Sequence, residues 1–174
     1  MILTGQKIIE EISKGNIVIT PFETELVNPN SYNYRLGTTI YEFSEALLDS
    51  RCPSQYKEIK LSEDGFLLMP HRLYLASTHE TIGSSKYAIT LIGRSSVGRL
   101  GLFLQISAPL GHVRTNHAWT LELTVVQPLR VYPKMRIGQV SFWEILGSDD
   151  LIYSSDYWKF SLPEQSKFFR EKPL

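Results

Sequence analysis

Trp119-Thr-Leu-Glu122-Leu-Thr-Val-Val126 is the stretch on which the reading of this chain turns. In an extended strand successive side chains point to opposite faces. Thr120, Glu122 and Thr124 then share one face, and Leu121, Leu123 and Val125 share the other. A polar row against an apolar row is the pattern of a strand with one buried face. Glu122 has two readings in such a strand. It is a solvated carboxylate on the outer face, or it is held in a partly dry place. There burial raises a carboxyl pKa and suits the group to proton transfer. The residues of this stretch alone leave both readings open.

Working outward, the same short pattern recurs. Tyr32 to Gly37, Thr39 to Phe43, Glu58 to Leu61, Gly65 to Leu68, Leu73 to Thr78, Glu80 to Ile82 and Tyr87 to Ile92 read as strands. So do Leu102 to Ser107, Leu129 to Val131 and Gln139 to Trp143. Turn signals every 8–12 residues or so point to an all-β sandwich or barrel. The exception is the start. Thr4 can cap a helix over Gly5 to Lys14, with Ile8, Ile9 and Ile12 at helical spacing and Gly15 as its stop. Ile17 to Pro21 is again strand-like, and Arg94 to Arg99 reads as a short helical turn. The expectation is one domain over 1–174. Its tail, 149–174, carries Tyr153, Tyr157, Trp158, Phe160, Phe168 and Phe169, too aromatic for a solvated tail. That tail is expected to dock, closing over a site.

Charge narrows the function. Eighteen basic and eighteen acidic residues cancel. No broad basic field exists to hold a nucleic-acid backbone, so an anionic ligand has to be small and met by a local cluster. Cys52 is the single cysteine, which excludes an internal disulfide and any Cys-rich zinc site. No stretch approaches the roughly 20 apolar residues of a membrane span. The N-terminus has no long apolar run, so no signal peptide is expected and the expected location is cytoplasmic.

The local cluster is Gly93-Arg-Ser-Ser-Val-Gly-Arg99, with two guanidinium groups, two hydroxyls and two glycines in seven residues. Guanidinium forks match phosphate oxygens, and serine hydroxyls with turn N–H groups can complete such a cradle. A polar surface turn is the other reading. The spacing is not that of a P-loop. His71, His79, His112 and His117 form no HExxH pattern, and Ser95 sits in no GxSxG elbow.

Taken together, the segments resemble the dCTP deaminase family of the dCTP deaminase and dUTPase superfamily. The opening, Met1 to Pro21, is similar to the family's first helix and strand. Asn28-Pro-Asn-Ser-Tyr-Asn-Tyr-Arg-Leu-Gly37 is similar to its S-x-D-x-R-L-G element, with Asn33 in place of the acid. Gly93-Arg-Ser-Ser-Val-Gly-Arg-Leu-Gly101 resembles GRSS-x-x-R-x-G. Thr120-Leu-Glu122 and Met135-Arg-Ile-Gly-Gln139 resemble the catalytic strand and the one after it. The match runs in order from residue 1 to about 145.

The resemblance implies a distorted β-barrel or jelly-roll-like subunit, a homotrimer with sites between subunits, and Mg²⁺ carried largely by the substrate's phosphates. It implies no zinc, no nucleic-acid partner and no membrane. It gives Glu122 the role of proton carrier for water attacking C4 of cytosine, Ser95 that of orienting the water, and Arg99 that of supporting the glutamate. Arg94 and Ser96 take the triphosphate cradle, and Ala108 the backbone position over the base. In the hairpin after Ala108 the family has A-x-x-I-D-P-G-[WF]-x-G. Here His112 stands where the acid is expected, Arg114 where Gly is and Thr115 where the aromatic is. In the tail, Lys159, Phe160 and Gln165 are the counterparts of residues that close the site. Three functions follow: deamination of dCTP to dUTP, dUTP diphosphatase or dUMP-forming chemistry, and nucleotide binding without catalysis. The missing acid counts against the second.

Overall fold

The computed structural model describes residues 1–104, 108–148 and 162–170. Helix α1 (Gly5–Ser13) leads into strands β1 (Ile17–Thr20), β2 (Val27–Asn28), β3 (Ser31–Phe43), β4 (Tyr56–Lys60), β5 (Phe66–Leu68), β6 (Tyr74–Ser84) and β7 (Ala88–Gly93). A single-turn helix α2 (Ser95–Gly98) follows, then β8 (Leu102–Leu104), β9 (Leu110–Gly111), β10 (Thr115–Val125), β11 (Leu129–Val131) and β12 (Arg136–Trp143). Ten of these strands form one antiparallel sheet in the order β8-β10-β6-β3-β12-β7-β9, with β1 on β6 and β2 and β4 on β3. It curls into a half-barrel. The expectation of a mainly β protein with a short first helix holds at that level.

The helix forms as its residues dictate. The Thr4 hydroxyl accepts the Lys7 N–H at 3.3 Å, Ile8 is fully buried, and Gly15 leaves the helix at φ 75°. A residue with a Cβ is disfavoured in that left-handed region.

The apolar row of β10 makes the core. Leu121 lies opposite Ala76 of β6, which lies opposite Ile40 of β3. All three are fully buried, as is Leu123. Burying each such leucine contributes about 1.5–3 kcal/mol. The other row runs Glu122, Leu75, Tyr41 across the same strands.

Two pairs of expected strands are single strands. Tyr32–Gly37 and Thr39–Phe43 are both part of β3, which passes through Gly37 with a register shift between Leu36 and Ile40. A Cβ on Gly37 would stand 2.7 Å from the Ser77 hydroxyl, so this glycine marks a close approach between strands and not a turn. Likewise Leu73–Thr78 and Glu80–Ile82 merge into β6. The expected hairpin after Ala108 is also different. β9 pairs with β7, while β10 pairs with β6 and β8. The segment turns a corner between strand pairs, because its two ends hydrogen-bond to different neighbours.

The motif segments meet on β3, β12 and β7. Gly138 lies between Tyr34 and Gly93, and Gln139 between Asn33 and Ile92. The Tyr34 hydroxyl donates to the Ile92 carbonyl at 3.0 Å, and a Cβ on Gly138 would stand 2.1 Å from the Tyr34 ring. Burial pushes the Tyr34 phenol pKa up. Asn33 donates through Nδ2 to the Leu26 carbonyl at 3.2 Å and to Asn28 Oδ1 at 3.1 Å. An aspartate would bring an acceptor to two acceptors, which explains an amide there.

Candidate active site

A cavity of about 410 Å³ lies on the Glu122 face of β10 and β6. Its making starts with one irregularity. The register of β10 against β6 shifts between Ala118 and Thr120. There one residue of β10, Trp119, stands against three of β6, Thr78, His79 and Glu80, and the buried positions of β10 change from Ala118 to Leu121 and Leu123, an exchange of faces. Before it, Thr115, His117 and Trp119 face the cavity; after it, Thr120 and Glu122 do. Strict alternation would put Trp119 and Glu122 on opposite faces.

The bulge is held by named bonds. The Trp119 N–H donates to the Thr78 hydroxyl at 2.9 Å, and that hydroxyl donates to the Glu80 carbonyl at 2.7 Å. The indole Nε1–H donates to the Ile82 carbonyl at 3.0 Å. The ring passes close to Gly111, where a Cβ would stand 2.5 Å from it. The His117 ring lies beside the indole, centroids 4.2 Å apart and planes 35° from parallel. Its Nδ1 is 2.9 Å from the Ala118 carbonyl, so Nδ1 carries the proton. Burial pushes the His117 pKa down against that bond, which favours the neutral imidazole.

The C-terminal segment forms another side. The Glu164 N–H donates to the Thr120 hydroxyl at 3.1 Å, Pro163 is buried, and Glu164, Gln165 and Ser166 line the cavity. Gln165 Oε1 is buried without a hydrogen-bond partner. Buried polar atoms are almost always partnered, so an orphaned acceptor beside a cavity is a place for a ligand's donor.

Of the residues expected from the sequence, Glu122, Ala108, His112 and Gln165 line this one cavity. Glu122 is half-buried there, beside Leu75, Leu73 and Phe43. Arg94, Ser95, Ser96 and Arg99 do not line it. They sit at α2, where Ser95, Ser96 and Arg99 are exposed. Arg94 donates through Nη1 to the Arg136 carbonyl at 3.4 Å, and its Nε is buried without a partner. Burial pushes the Arg94 pKa down, and the charge of Arg136 acts in the same direction. Lys159, Phe160 and most of the aromatic tail lie outside the described residues. Sequence reasoning missed His117, Trp119 and Glu164. The bulge that recruits the first two has no local sequence signal, and Glu164 is brought in by a bond to Thr120.

The described residues bring no three His, Cys, Asp or Glu side chains together as a metal-ligand set. The guanidinium and hydroxyl groups at α2 suit phosphate oxygens rather than a cation. No helix among the described residues is long and apolar enough to cross a membrane.

The curled sheet has a counterpart in the crystal structure of 2'-deoxycytidine 5'-triphosphate deaminase from Agrobacterium tumefaciens. The TM-score is 0.65 over 81% of this chain and 47% of that one, with 19% sequence identity, a likeness of fold. Residues 2–145 match the family model described as DCD, dCTP deaminase-like, and the chain belongs to this enzyme family. It is similar to a protein named dCTP deaminase, dUMP-forming, from Clostridium beijerinckii, 44% identical over 90% of each chain. It is also similar to the dCTP deaminase of Rhodopirellula baltica, 39% identical over 98% of this chain and 86% of that one.

Proposed function

We propose that this chain deaminates dCTP hydrolytically, giving dUTP and ammonia, with Glu122 carrying the protons. The observation that supports it is the placement of Glu122, Ala108 and Gln165 in one cavity of about 410 Å³ with a largely apolar wall. That volume is in the range of about 300–1,000 Å³ typical of small-molecule sites. In this reading water adds to C4 of the cytosine ring and the carboxylate takes its proton. That proton passes to ring N3; Glu122 then takes the remaining proton of the C4 hydroxyl and gives it to the amine as the C4–N bond breaks, so ammonia leaves a carbonyl at C4.

Arg94, Ser95, Ser96 and Arg99 enter from a neighbouring copy in a homotrimer. In this role Arg94 and Ser96 hold phosphate oxygens, Ser95 orients the water and Arg99 supports the glutamate. The support is that α2 carries a donor set without a place in its own chain's cavity. Mg²⁺ would arrive on the nucleotide's phosphates and neutralise part of their charge, with no described side chain as its ligand.

A second reading, in which the product is dUMP, is favoured by the relatives so named. It requires cleavage of the phosphoanhydride as well, and His112 stands where the resemblance places the acid for that step. Incubation with dCTP and Mg²⁺, with ammonia and pyrophosphate followed separately, decides. Ammonia alone supports dUTP as product, and both together support dUMP. Neither, with dCTP still raising the melting temperature, supports binding without catalysis. Glu122→Gln should lower ammonia release on the order of 10²–10⁴-fold while leaving that thermal shift in place. Retained turnover in a folded variant would remove Glu122 from the mechanism.

A further inference from the structure

No motif in the sequence named His117 or Trp119, yet the fold spends considerable structure on placing them. The bulge between Ala118 and Thr120 turns both rings to the cavity. The indole N–H and the Trp119 backbone N–H are both bonded away from it, to Ile82 and Thr78. What remains of Trp119 for the cavity is a half-exposed aromatic surface with its polar edge already satisfied. Gly111 gives that ring its room, because any side chain there would overlap it. The His117 ring centroid lies 4.2 Å from that of the indole, and its Nδ1 is held by the Ala118 carbonyl. Thr120 and Glu122 follow on the same face, two strand positions or about 7 Å apart.

We infer that the His117–Trp119 pair is the platform on which the flat base of the nucleotide stacks, setting its ring within reach of Glu122. This rests on the cavity being a nucleotide site and adds residues that fix selectivity for a base over a bare polyphosphate. A ring fixed at its polar edge gives a π surface at little entropic cost, and base–aromatic stacking is tolerant of the base but demands one. Leu73, Leu75 and Phe43 complete an apolar surround in which a charged or strongly hydrated group would be poorly placed.

The test uses the full chain with two probes, dCTP with Mg²⁺ and inorganic tripolyphosphate with Mg²⁺. Trp119→Leu should weaken dCTP binding on the order of ten-fold or more and leave tripolyphosphate binding unchanged, while Trp119→Phe keeps most of the affinity. Unchanged dCTP binding in Trp119→Leu, or equal loss for both probes, overturns the inference. Should Trp119→Leu fail to fold, a chain carrying Trp143→Phe and Trp158→Phe leaves Trp119 as the sole tryptophan of the three. Saturating dCTP should then quench its emission and tripolyphosphate should not; no quenching by dCTP overturns the inference. Ammonia release from the wild-type chain is measured separately. Quenching without ammonia leaves the platform standing and overturns the deaminase reading alone.

Discussion

Arg35 and Arg94 each stand in a motif segment, yet they are opposite in their surroundings. Arg35 donates its backbone N–H at 2.8 Å and its Nε at 2.6 Å to the two oxygens of Glu80, and its Nη1 at 2.5 Å to Glu23. Glu80 is fully buried. Only Nη2 of Arg35 is left without a partner. Arg94 has one long bond to a backbone carbonyl, no carboxylate among the described residues, a buried unpartnered Nε and a like-charged neighbour in Arg136. The first guanidinium is neutralised inside the fold, and the second has no carboxylate partner among the described residues. One half of the motif set is thus architecture, around β3, β12 and β6. The other half lies at the exposed α2 and along the cavity face of β10.

The sharpest way to break this contrast is to remove each guanidinium in turn. Arg35→Met leaves the buried Glu80 without its counter-charge and should cost about 3–5 kcal/mol, read from urea midpoints. Arg94→Met should change stability by less than about 1 kcal/mol. It should instead weaken tripolyphosphate binding on the order of ten-fold, since a charge-assisted bond to phosphate is lost. Equal destabilisation by the two substitutions would collapse the distinction.

Acid titration sharpens the architectural side. Glu11 is almost fully buried on α1, and its carboxyl is held down at about 2. The Asn16 amide at 2.7 Å is the largest cause; burial opposes it, and Tyr87, Lys7 and Lys14 add to it. A carboxyl depressed in the folded state stabilises the fold above its unfolded value near 4.5 and loses that contribution as pH falls toward about 2. The melting temperature should therefore fall steeply between those values, and less steeply in Glu11→Gln. A wild-type curve parallel to that of the variant would show that Glu11 does not carry the effect.

What the sequence showed and hid follows the range of the interactions. The alternation of β10 was legible because a two-residue period is local, and it placed Thr120 and Glu122 on one face correctly. The face exchange at Trp119 was not, because the groups that hold it, Thr78 and Ile82, belong to another strand. Gly37 looked like a turn because a glycine that admits Ser77 and one that admits a positive φ are the same letter. β9 is two residues long and carries no pattern of its own. Glu122, Ala108, His112 and Gln165, which line one cavity, were singled out by their likeness to known motifs. Their spacing alone would not have brought them to one cavity.

The smallest effect lies at the corner where the resemblance was weakest. Arg114 replaces an expected glycine, yet its φ of 68° keeps the left-handed turn that glycine adopts readily. Its N–H donates to the Ser84 carbonyl at 2.7 Å, and the Thr115 hydroxyl donates to the His112 carbonyl at 2.6 Å. The backbone of the corner is thus kept by bonds that do not depend on the side chain at 114. A non-glycine residue there stores on the order of 1 kcal/mol of strain, and glycine would relieve it. Glycine would also make the unfolded chain freer, at a cost of about 0.4–1 kcal/mol. Arg114→Gly should therefore stay within about 1 kcal/mol of the wild type. Arg114→Val, branched at Cβ, should lose more, about 1–3 kcal/mol. Urea midpoints for the pair at unchanged slope are the measurement. If valine were tolerated as well as glycine, the left-handed turn would not be what shapes the wall behind Trp119.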